Sequence, residues 1–276
     1  MRAAMKLKQM SHNLFETAPP PADERIYYGP HPLNFGDLRL PAGEGPCPTI
    51  IVIHGGFWRA RYTLEHIGHL CAALTREGFA TWSIEYRRIG DEGGAWPGTF
   101  LDVGRGVDHV RDLAAQYNLD LDRVTTIGHS AGGHLALWAA ARHKIAEGDP
   151  LHAPDPLRPK AAISLAGVTS LQMAWEKRLS GGVVRDLMIA APEEAPQRYM
   201  TASPIEMLPL GIRQVLIHGT EDENVPFELS QAYEKAATRA GDSVELVTLK
   251  GAGHFEVVDP KQPEWEDVLG AVKRET

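Results

Sequence analysis

Six short, almost wholly apolar runs recur along the chain. They cover residues 48–54, 79–86, 123–129, 161–166, 214–218 and 244–249. A strand that is apolar along its whole length is buried on both faces, which is typical of a parallel sheet covered by helices. The sequence therefore predicts an α/β fold with a mostly parallel central sheet.

Segments with helical periodicity fill the intervals between these runs. Apolar side chains recur at spacings of three and four in three sets: Ile67, Leu70, Cys71 and Leu74; Val103, Val107, Val110, Ala114 and Tyr117; Leu229, Tyr233, Ala236 and Ala240. Such spacing predicts crossover helices that flank the sheet. Near the N-terminus, residues 25–28 and 37–40 are separated by Gly and Pro and predict two short strands at an antiparallel edge.

The length of 276 residues is ordinary for one large α/β domain. We predict an N-terminal arm over residues 1–24 and a single domain over residues 25–276. Residues 168–210 are too long for a simple crossover and carry apolar residues at helical spacing, namely Met173, Trp175, Leu179, Leu187 and Met188. They predict a short helical lid inserted into the domain.

The charge and the cysteine content limit the partners and the compartment. The formal charge of −8 opposes binding to nucleic acid or to an anionic membrane surface, and two cysteines are too few for a disulfide framework. The N-terminal stretch lacks the continuous apolar segment of a secretory signal, and no run reaches transmembrane length. We expect a cytoplasmic protein with no nucleic-acid or membrane partner. The sequence leaves open a start at Met5 or Met10 and the formation of a homodimer.

A hydroxyl between two glycines follows the third apolar run. The segment Gly128-His129-Ser130-Ala131-Gly132 fits the pattern G-x-S-x-G, in which a serine occupies a sharp turn between a buried strand and a helix. Glycines on both sides of the serine leave room for the strand and the helix to pass close to each other. The position predicts that Ser130 is a nucleophile.

A serine hydroxyl is a weak nucleophile at neutral pH and needs a base that an acid orients. The segment HGTED ends at Asp222 after one predicted strand, and GAGH ends at His254 after the next. Both therefore lie at the same edge of the sheet as Ser130, in the order serine, acid, histidine that this turn architecture requires. Glu221 and Glu223 remain alternatives for the acid, and Asp222 could instead cap a helix.

Backbone N–H groups near the serine are expected to stabilise the negative charge that develops on the attacked carbonyl oxygen. Ala131 supplies one donor because it directly follows Ser130. The loop HGGFW after the first apolar run brings backbone close to a ligand, and Gly56 and Phe57 are the candidate donors in it. We expect His54 to hold this loop by a hydrogen bond.

The other histidines near these motifs are assigned structural roles. His129 points away from the reacting group in such a turn, and His218 closes a strand. His66 and His69 share a helical face, but no further ligands accompany them, so no metal site is predicted. We expect neither a metal nor a cofactor.

Four ordered motifs, HGGFW, GHSAGGHLA, HGTEDENVP and GAGHF, resemble those of the α/β-hydrolase superfamily. Within it the chain is similar to the HGG-type esterases and to the kynurenine-formamidase-like and dienelactone-hydrolase-like groups. The resemblance spans roughly residues 25–275. It implies the α/β-hydrolase fold, triad roles for Ser130, Asp222 and His254, and the oxyanion roles already assigned. Dienelactone hydrolases use a cysteine nucleophile, from which Ser130 departs.

Aromatic and basic residues follow the strands that end near Ser130. We predict that Trp58, Arg59, Tyr62, Tyr86 and Trp96 line a substrate pocket that favours a planar or apolar group. The leading hypothesis is a serine hydrolase that cleaves small carboxylic esters through an acyl-enzyme, and the alternative is an arylformamidase acting on an N-formylkynurenine-type amide. A remote alternative is a non-catalytic binding protein with the hydrolase fold.

Overall fold

An eight-stranded sheet forms the centre of the molecule in the computed structural model, which describes residues 17–43 and 45–276. The strands are β1 Glu24–Tyr27, β2 Phe35–Arg39, β3 Cys47–Ile53, β4 Ala80–Ile84, β5 Leu119–His129, β6 Ala161–Leu165, β7 Arg213–Gly219 and β8 Val244–Leu249. They are ordered β1-β2-β4-β3-β5-β6-β7-β8. The strands β1 and β2 are antiparallel to their neighbours, and all other pairs are parallel. The predicted mostly parallel sheet and its antiparallel edge are confirmed.

Helices cover both faces of this sheet. They are α1 Gly68–Arg76, α2 Gly98–Asp108, α3 Val110–Tyr117, α4 Ala131–Ala141, α5 Leu171–Glu176, α6 Leu179–Met188, α7 Pro196–Ala202, α8 Glu228–Arg239 and α9 Trp265–Glu275. The predicted periodic segment over residues 103–117 is divided at His109, although His109 keeps right-handed helical dihedral angles. Helix α9 was not predicted, although Val268, Ala271 and Val272 give it a buried face.

Strand β3 shows why the apolar runs are continuous. Its side chains alternate between the two faces of the sheet, because successive residues of a strand point to opposite sides. Ile51 and Ile53 join a core that includes α2 and α4, whereas Ile50 and Val52 join a second core that includes α1 and α9. All four are 0% exposed. Burial on both faces leaves no polar position in the middle of the strand.

Three short helices, α5 to α7, occupy the predicted insertion over residues 168–210. Leu187 and Met188 of α6 are buried in the same core as α2 and α4. The N–H of Trp96 donates to the Leu187 carbonyl at 2.8 Å. Helix α6 contains left-handed residues at Ser180, Gly181 and Gly182. The segment is therefore packed on the domain, with a kink near its first helical turns.

Part of the predicted N-terminal arm runs along the domain surface. The carbonyl of Thr17 accepts from His69 at 2.9 Å, and that of Pro20 accepts from Arg39 at 3.0 Å. Residues 1–16 of the arm, with Met5 and Met10, lie outside the described residues. Across residues 17–43 and 45–276, no helix has the length and apolar character needed to cross a bilayer.

Candidate active site

Ser130 lies at the junction of β5 and α4 in a strained backbone conformation. Its dihedral angles are φ 57 and ψ −119, which a residue with a side chain rarely adopts. The flanking glycines are sterically required: a Cβ on Gly128 would lie 2.1 Å from the Gly132 carbonyl oxygen, and a Cβ on Gly132 would lie 2.0 Å from that of Ile53. The serine is thereby held at the turn where strand and helix meet, as the G-x-S-x-G pattern predicts.

The loop after β3 passes directly against this serine. A Cβ on Gly55 would lie 3.0 Å from the Cβ of Ser130. The next three residues, Gly56, Phe57 and Trp58, all have positive φ, at 107, 54 and 54. Within residues 17–43 and 45–276, the N–H groups of Gly56 and Phe57 have no hydrogen-bond acceptor. They are therefore available to an oxygen atom of a ligand near Ser130.

Ala131 offers a third donor of the same kind. It is the first residue of α4, and the first N–H groups of a helix have no acceptor within the helix. The N–H of Ser130 itself is taken up by the Leu165 carbonyl at 2.8 Å. The three predicted oxyanion donors are thus backbone groups that the local structure leaves unbonded near the serine.

A buried ionic network anchors the loop. His54 Nε2 lies 2.8 Å from Glu85 Oε1, and Arg88 Nη1 lies 2.9 Å from the same oxygen. The Tyr86 hydroxyl donates to the His54 carbonyl at 2.7 Å. Burial alone would raise the pKa of Glu85, but His54 and Arg88 outweigh that effect and lower it. The predicted structural role of His54 agrees with these contacts.

Asp222 and His254 lie side by side at the end of β7 and after β8. His254 Nδ1 lies 2.6 Å from Asp222 Oδ2, and the Asp222 side chain is fully buried. Asp222 Oδ1 accepts from the N–H groups of Asn224 and Val225, both at 2.8 Å. Burial would raise the pKa of Asp222, but hydrogen bonds from His218 and His254 outweigh it and hold the pKa well below its usual range. Asp222 is therefore ionised.

The two glutamates that were left open as alternative acids do not make this contact. Glu221 and Glu223 are exposed, and it is Asp222 that forms the hydrogen bond to His254. The helix-capping alternative is partly right. The Asp222 carboxylate accepts from the N–H groups of Asn224 and Val225 and so also organises the loop before α8. Capping and orientation of the histidine are compatible roles for one carboxylate.

Ser130 and His254 line one cavity of about 90 Å³ together with both loop donors. Its lining residues are Gly56, Phe57, Tyr62, His66, His129, Ser130, Asn224, His254 and Phe255. Since Asp222 holds Nδ1 of His254, Nε2 is the ring nitrogen that remains for the serine proton. No hydrogen bond joins the Ser130 hydroxyl to His254 within the described part of the chain. Such bonds are often long without a substrate.

Two further histidines lie in the cavity wall. His129 Nε2 donates to the His254 carbonyl at 2.9 Å, and His129 Nδ1 lies 3.4 Å from His66 Nε2. Burial, and next the interaction with the neighbouring His54, lowers the pKa of His66 to about 3, and burial, together with the interaction with His254, holds the pKa of His129 well below its usual value. Both are neutral and structural at pH 7. Among the residues that the structure describes, no three potential ligands are placed to hold a metal ion.

Only one of the five predicted substrate residues lines this cavity. Tyr62 does, whereas Trp58 and Tyr86 are 0% exposed and belong to the core. Arg59 donates to the Ser180 carbonyl at 2.9 Å, and the ring of Trp96 packs on Phe100 at 5.5 Å between centroids. Residues 168–210, the predicted lid, contribute none of the lining residues.

Sequence reasoning missed four residues of the cavity wall, His66, His129, Asn224 and Phe255. The expectation that His129 points away from the reacting group was wrong, because His129 lines the same cavity as Ser130 and packs on the ring of His254. Asn224 and Phe255 lie within two residues of Asp222 and His254 along the chain, so proximity to the motifs was an available signal. His66 gives no such signal, because it reaches the site from the 3₁₀ turn Leu64–Ile67 before α1.

Comparisons with known proteins show which family and which relatives this chain is similar to. The family model BD-FAE matches residues 37–236. The probable isoprenylcysteine alpha-carbonyl methylesterase ICMEL1 of Arabidopsis thaliana is 27% identical over 248 residues, which cover 84% of this chain and 50% of that protein. Esterase LipQ of Mycobacterium tuberculosis is 28% identical over 216 residues, 75% of this chain and 50% of that one. The chain spans about half the length of these curated relatives.

Solved structures share the fold. A truncated carbohydrate esterase from gut microbiota superposes with a TM-score of 0.78 at 23% identity, covering 94% of this chain and 99% of that one. The apo form of Thermogutta terrifontis esterase 2 superposes with a TM-score of 0.75 at 22% identity, covering 94% and 95%. Each match covers nearly the whole of both chains.

Proposed function

The chain belongs to the BD-FAE family, and from that membership together with the site geometry we propose that it is a serine hydrolase that cleaves small carboxylic esters. It has the α/β-hydrolase fold. The observation that carries the proposal is the 2.6 Å hydrogen bond between Asp222 and His254 beside the cavity that His254 shares with Ser130. The names of the two relatives, a probable methylesterase and an esterase, support an ester as the bond that is cleaved.

In the proposed reaction Ser130 Oγ attacks the ester carbonyl carbon while His254 Nε2 takes its proton. Asp222 keeps the proton of His254 on Nδ1 and stabilises the imidazolium. The N–H groups of Gly56, Phe57 and Ala131 donate to the oxyanion of the tetrahedral intermediate. His254 then protonates the departing alkoxide, which leaves an acyl-enzyme.

Water completes the cycle at the same residues. His254 Nε2 removes a proton from a water molecule that attacks the acyl carbon, and the same three N–H groups stabilise the second oxyanion. The intermediate collapses to the carboxylic acid, and His254 returns the proton to Ser130 Oγ. The ester and one water molecule supply all the atoms that the two half-reactions transfer.

The size of the cavity supports a short acyl group. It measures about 90 Å³, and three of its walls are the aromatic side chains of Phe57, Tyr62 and Phe255. Apolar walls gain from burying an acyl chain, but a cavity of this volume has room for few carbon atoms. We expect acetyl and propionyl esters to react faster than long-chain esters.

The first experiment tests the nucleophile. Replacing Ser130 by Ala is expected to lower kcat for p-nitrophenyl acetate by about 10⁴- to 10⁶-fold, because the acyl-enzyme cannot form. Ser83→Ala is a matched control, since Ser83 is also fully buried but lies on β4 and donates to the Asp37 carbonyl. Retention of wild-type turnover by folded Ser130→Ala contradicts the proposal.

A second measurement separates the enzyme from a non-catalytic binding protein. A fluorophosphonate probe should label the wild-type chain and fail to label Ser130→Ala, because only an activated serine reacts with it. Absence of labelling in the wild type contradicts catalysis. Comparing kcat/KM for acetate esters and for an aryl formamide tests the arylformamidase alternative, which remains a prediction from sequence.

A further inference from the structure

A second histidine contacts the proposed catalytic carboxylate. His218, the penultimate residue of β7, places Nε2 at 3.1 Å from Asp222 Oδ2, the same oxygen that binds His254. The side chains of His218 and Asp222 are both 0% exposed. From the sequence, His218 is expected only to close a strand, and it takes no part in the proposed reaction.

The hydrogen-bond partners of His218 determine where its proton lies. Nε2 faces two acceptors, Asp222 Oδ2 at 3.1 Å and the Val225 carbonyl at 3.0 Å, so Nε2 carries the hydrogen. Nδ1 lies 2.7 Å from the hydroxyl of Ser230, which is 1% exposed and lies in the first turn of α8. With the hydrogen on Nε2, Nδ1 accepts from the Ser230 hydroxyl, and every polar hydrogen in the set has an acceptor.

Asp222 is thereby held from four directions. Backbone N–H groups of Asn224 and Val225 bind Oδ1, and the two imidazoles bind Oδ2. The backbone donors hold Oδ1, but they make no contact with Oδ2, whose direction depends on rotation of the carboxylate about the Cβ–Cγ bond. His218 restricts this rotation and keeps Oδ2 directed at Nδ1 of His254.

We propose that His218, oriented by Ser230, is a positioning residue that aims Asp222 Oδ2 at His254 and shares the charge of that oxygen. The inference depends on the proposed function, since it assigns a role within the same catalytic group. His218 does not line the Ser130 cavity and so touches no substrate. Its effect must pass through Asp222.

The proposal predicts a particular kinetic signature. In His218→Phe, which keeps an aromatic ring but lacks the donor, kcat for p-nitrophenyl acetate should fall roughly tenfold while KM changes less than about twofold. Asp222 Oδ2 should become a stronger acceptor for the His254 proton, because it no longer shares its charge with a second donor. The acid limb of the pH profile of kcat/KM should therefore move to higher pH.

Other titratable groups lie near Asp222 and His254 and could also shift the acid limb of the pH profile of kcat/KM. His129 packs on the ring of His254 at 4.5 Å between centroids, and its Nε2 donates to the His254 carbonyl. Glu221 and Glu223 are adjacent in sequence but exposed. None of these contacts is altered by a substitution at His218, so a shift in the acid limb reports on Asp222.

Two further variants guard against misfolding of His218→Phe. His218→Gln retains a donor near the position of Nε2 and should restore kcat to within about threefold of the wild type. Ser230→Ala should produce a smaller fall in kcat with the acid limb moved in the same direction. Ser83→Ala, equally buried on β4, should leave kcat and the acid limb unchanged.

Nitrogen-15 NMR provides a readout that is independent of turnover. The ring of His218 should show the neutral tautomer with hydrogen on Nε2, and Ser230→Ala should weaken this preference. Folded His218→Phe and Ser230→Ala with wild-type kcat and an unmoved acid limb overturn the inference. If the wild type itself neither hydrolyses esters nor reacts with a fluorophosphonate, the proposed function fails instead, so the two failures are distinguishable.

Discussion

At the scale of single residues, the site depends on groups whose protons and charges are fixed by burial. Asp222 is ionised although its side chain is fully buried, because four donors surround its two oxygens. A charge in the interior is stable only when it is paired and hydrogen-bonded in this way. The same contacts hold the imidazole of His254 in one tautomer, with Nδ1 occupied and Nε2 left for the serine.

Asp222→Asn tests this assignment at the residue scale. The amide preserves the shape of the side chain, but its NH₂ group in place of Oδ2 would favour the wrong tautomer of His254. We expect kcat to fall by about 10⁴-fold with little change in fold. The measurement is ester hydrolysis at pH 8 together with circular dichroism.

The neighbouring acid supplies the control for this variant. Glu221→Gln changes an exposed carboxylate one residue away and should leave kcat within about twofold of the wild type. If Glu221→Gln lost most of its kcat and Asp222→Asn kept its own, Glu221 would be the acid of the triad, which is one of the alternatives that the sequence left open.

At the scale of elements, the junction of β5 and α4 is packed too closely to admit side chains. Helix α4 approaches β3 so nearly that a Cβ on Gly132 would lie 2.0 Å from the Ile53 carbonyl oxygen. This contact sets the distance between the serine turn and the loop that follows β3. The close approach is therefore what brings the proposed oxyanion donors to Ser130.

Gly132→Ala should separate these elements. We expect the free energy of unfolding to fall by about 1–3 kcal/mol or more, because the added methyl group displaces backbone that cannot move easily. Gly270→Ala is the matched control, since Gly270 lies within α9 and its nearest atom to an added Cβ is Arg274 Nη1 at 3.6 Å. There alanine should stabilise by up to about 1 kcal/mol through helix propensity. Urea unfolding of both variants measures the difference, and equal effects would contradict the packing argument.

The elements also show where local patterns were informative. The apolar runs predicted the six parallel strands, and the signal was clearest for β3, β4 and β6, whose central residues are buried on both faces of the sheet. The aromatic residues after those strands were less informative. Trp58 and Tyr86 follow strands, as a pocket residue would, but the left-handed turn after β3 and the hydrogen bond from Tyr86 to His54 direct them into the core.

At the scale of the whole molecule, buried histidines make stability depend on pH. Burial lowers the pKa of His66 to about 3 and that of His134 to about 4, while the unfolded chain titrates near 6.5. Below pH 6.5 the unfolded state therefore binds protons that the folded state does not. The free energy of unfolding should fall as the pH drops from 6.5 toward 4, and should be insensitive to these groups above pH 7.

His134 permits a clean measurement, because it lies in the core beside Trp58 and Phe100 and not in the Ser130 cavity. Between pH 6.5 and pH 5 one such histidine should remove about 2 kcal/mol of stability. His134→Gln should lose that much less stability over the same interval, as measured by urea unfolding at pH 6.5 and pH 5. An identical pH dependence in the wild type and the variant would contradict a neutral buried His134.

The sequence by itself determined the α/β class, the mostly parallel sheet of apolar strands and the three motifs that carry Ser130, Asp222 and His254. These properties follow from local chemistry, because burial on two faces removes polar residues from a strand and a tight turn requires glycine. The tertiary structure alone decided that Asp222 and not its glutamate neighbours binds His254, that His218 binds the same oxygen, and that His66 and Phe255 enter the cavity wall. Those contacts join residues from different strands and loops, and their geometry depends on how the sheet and helices pack, which no local pattern records.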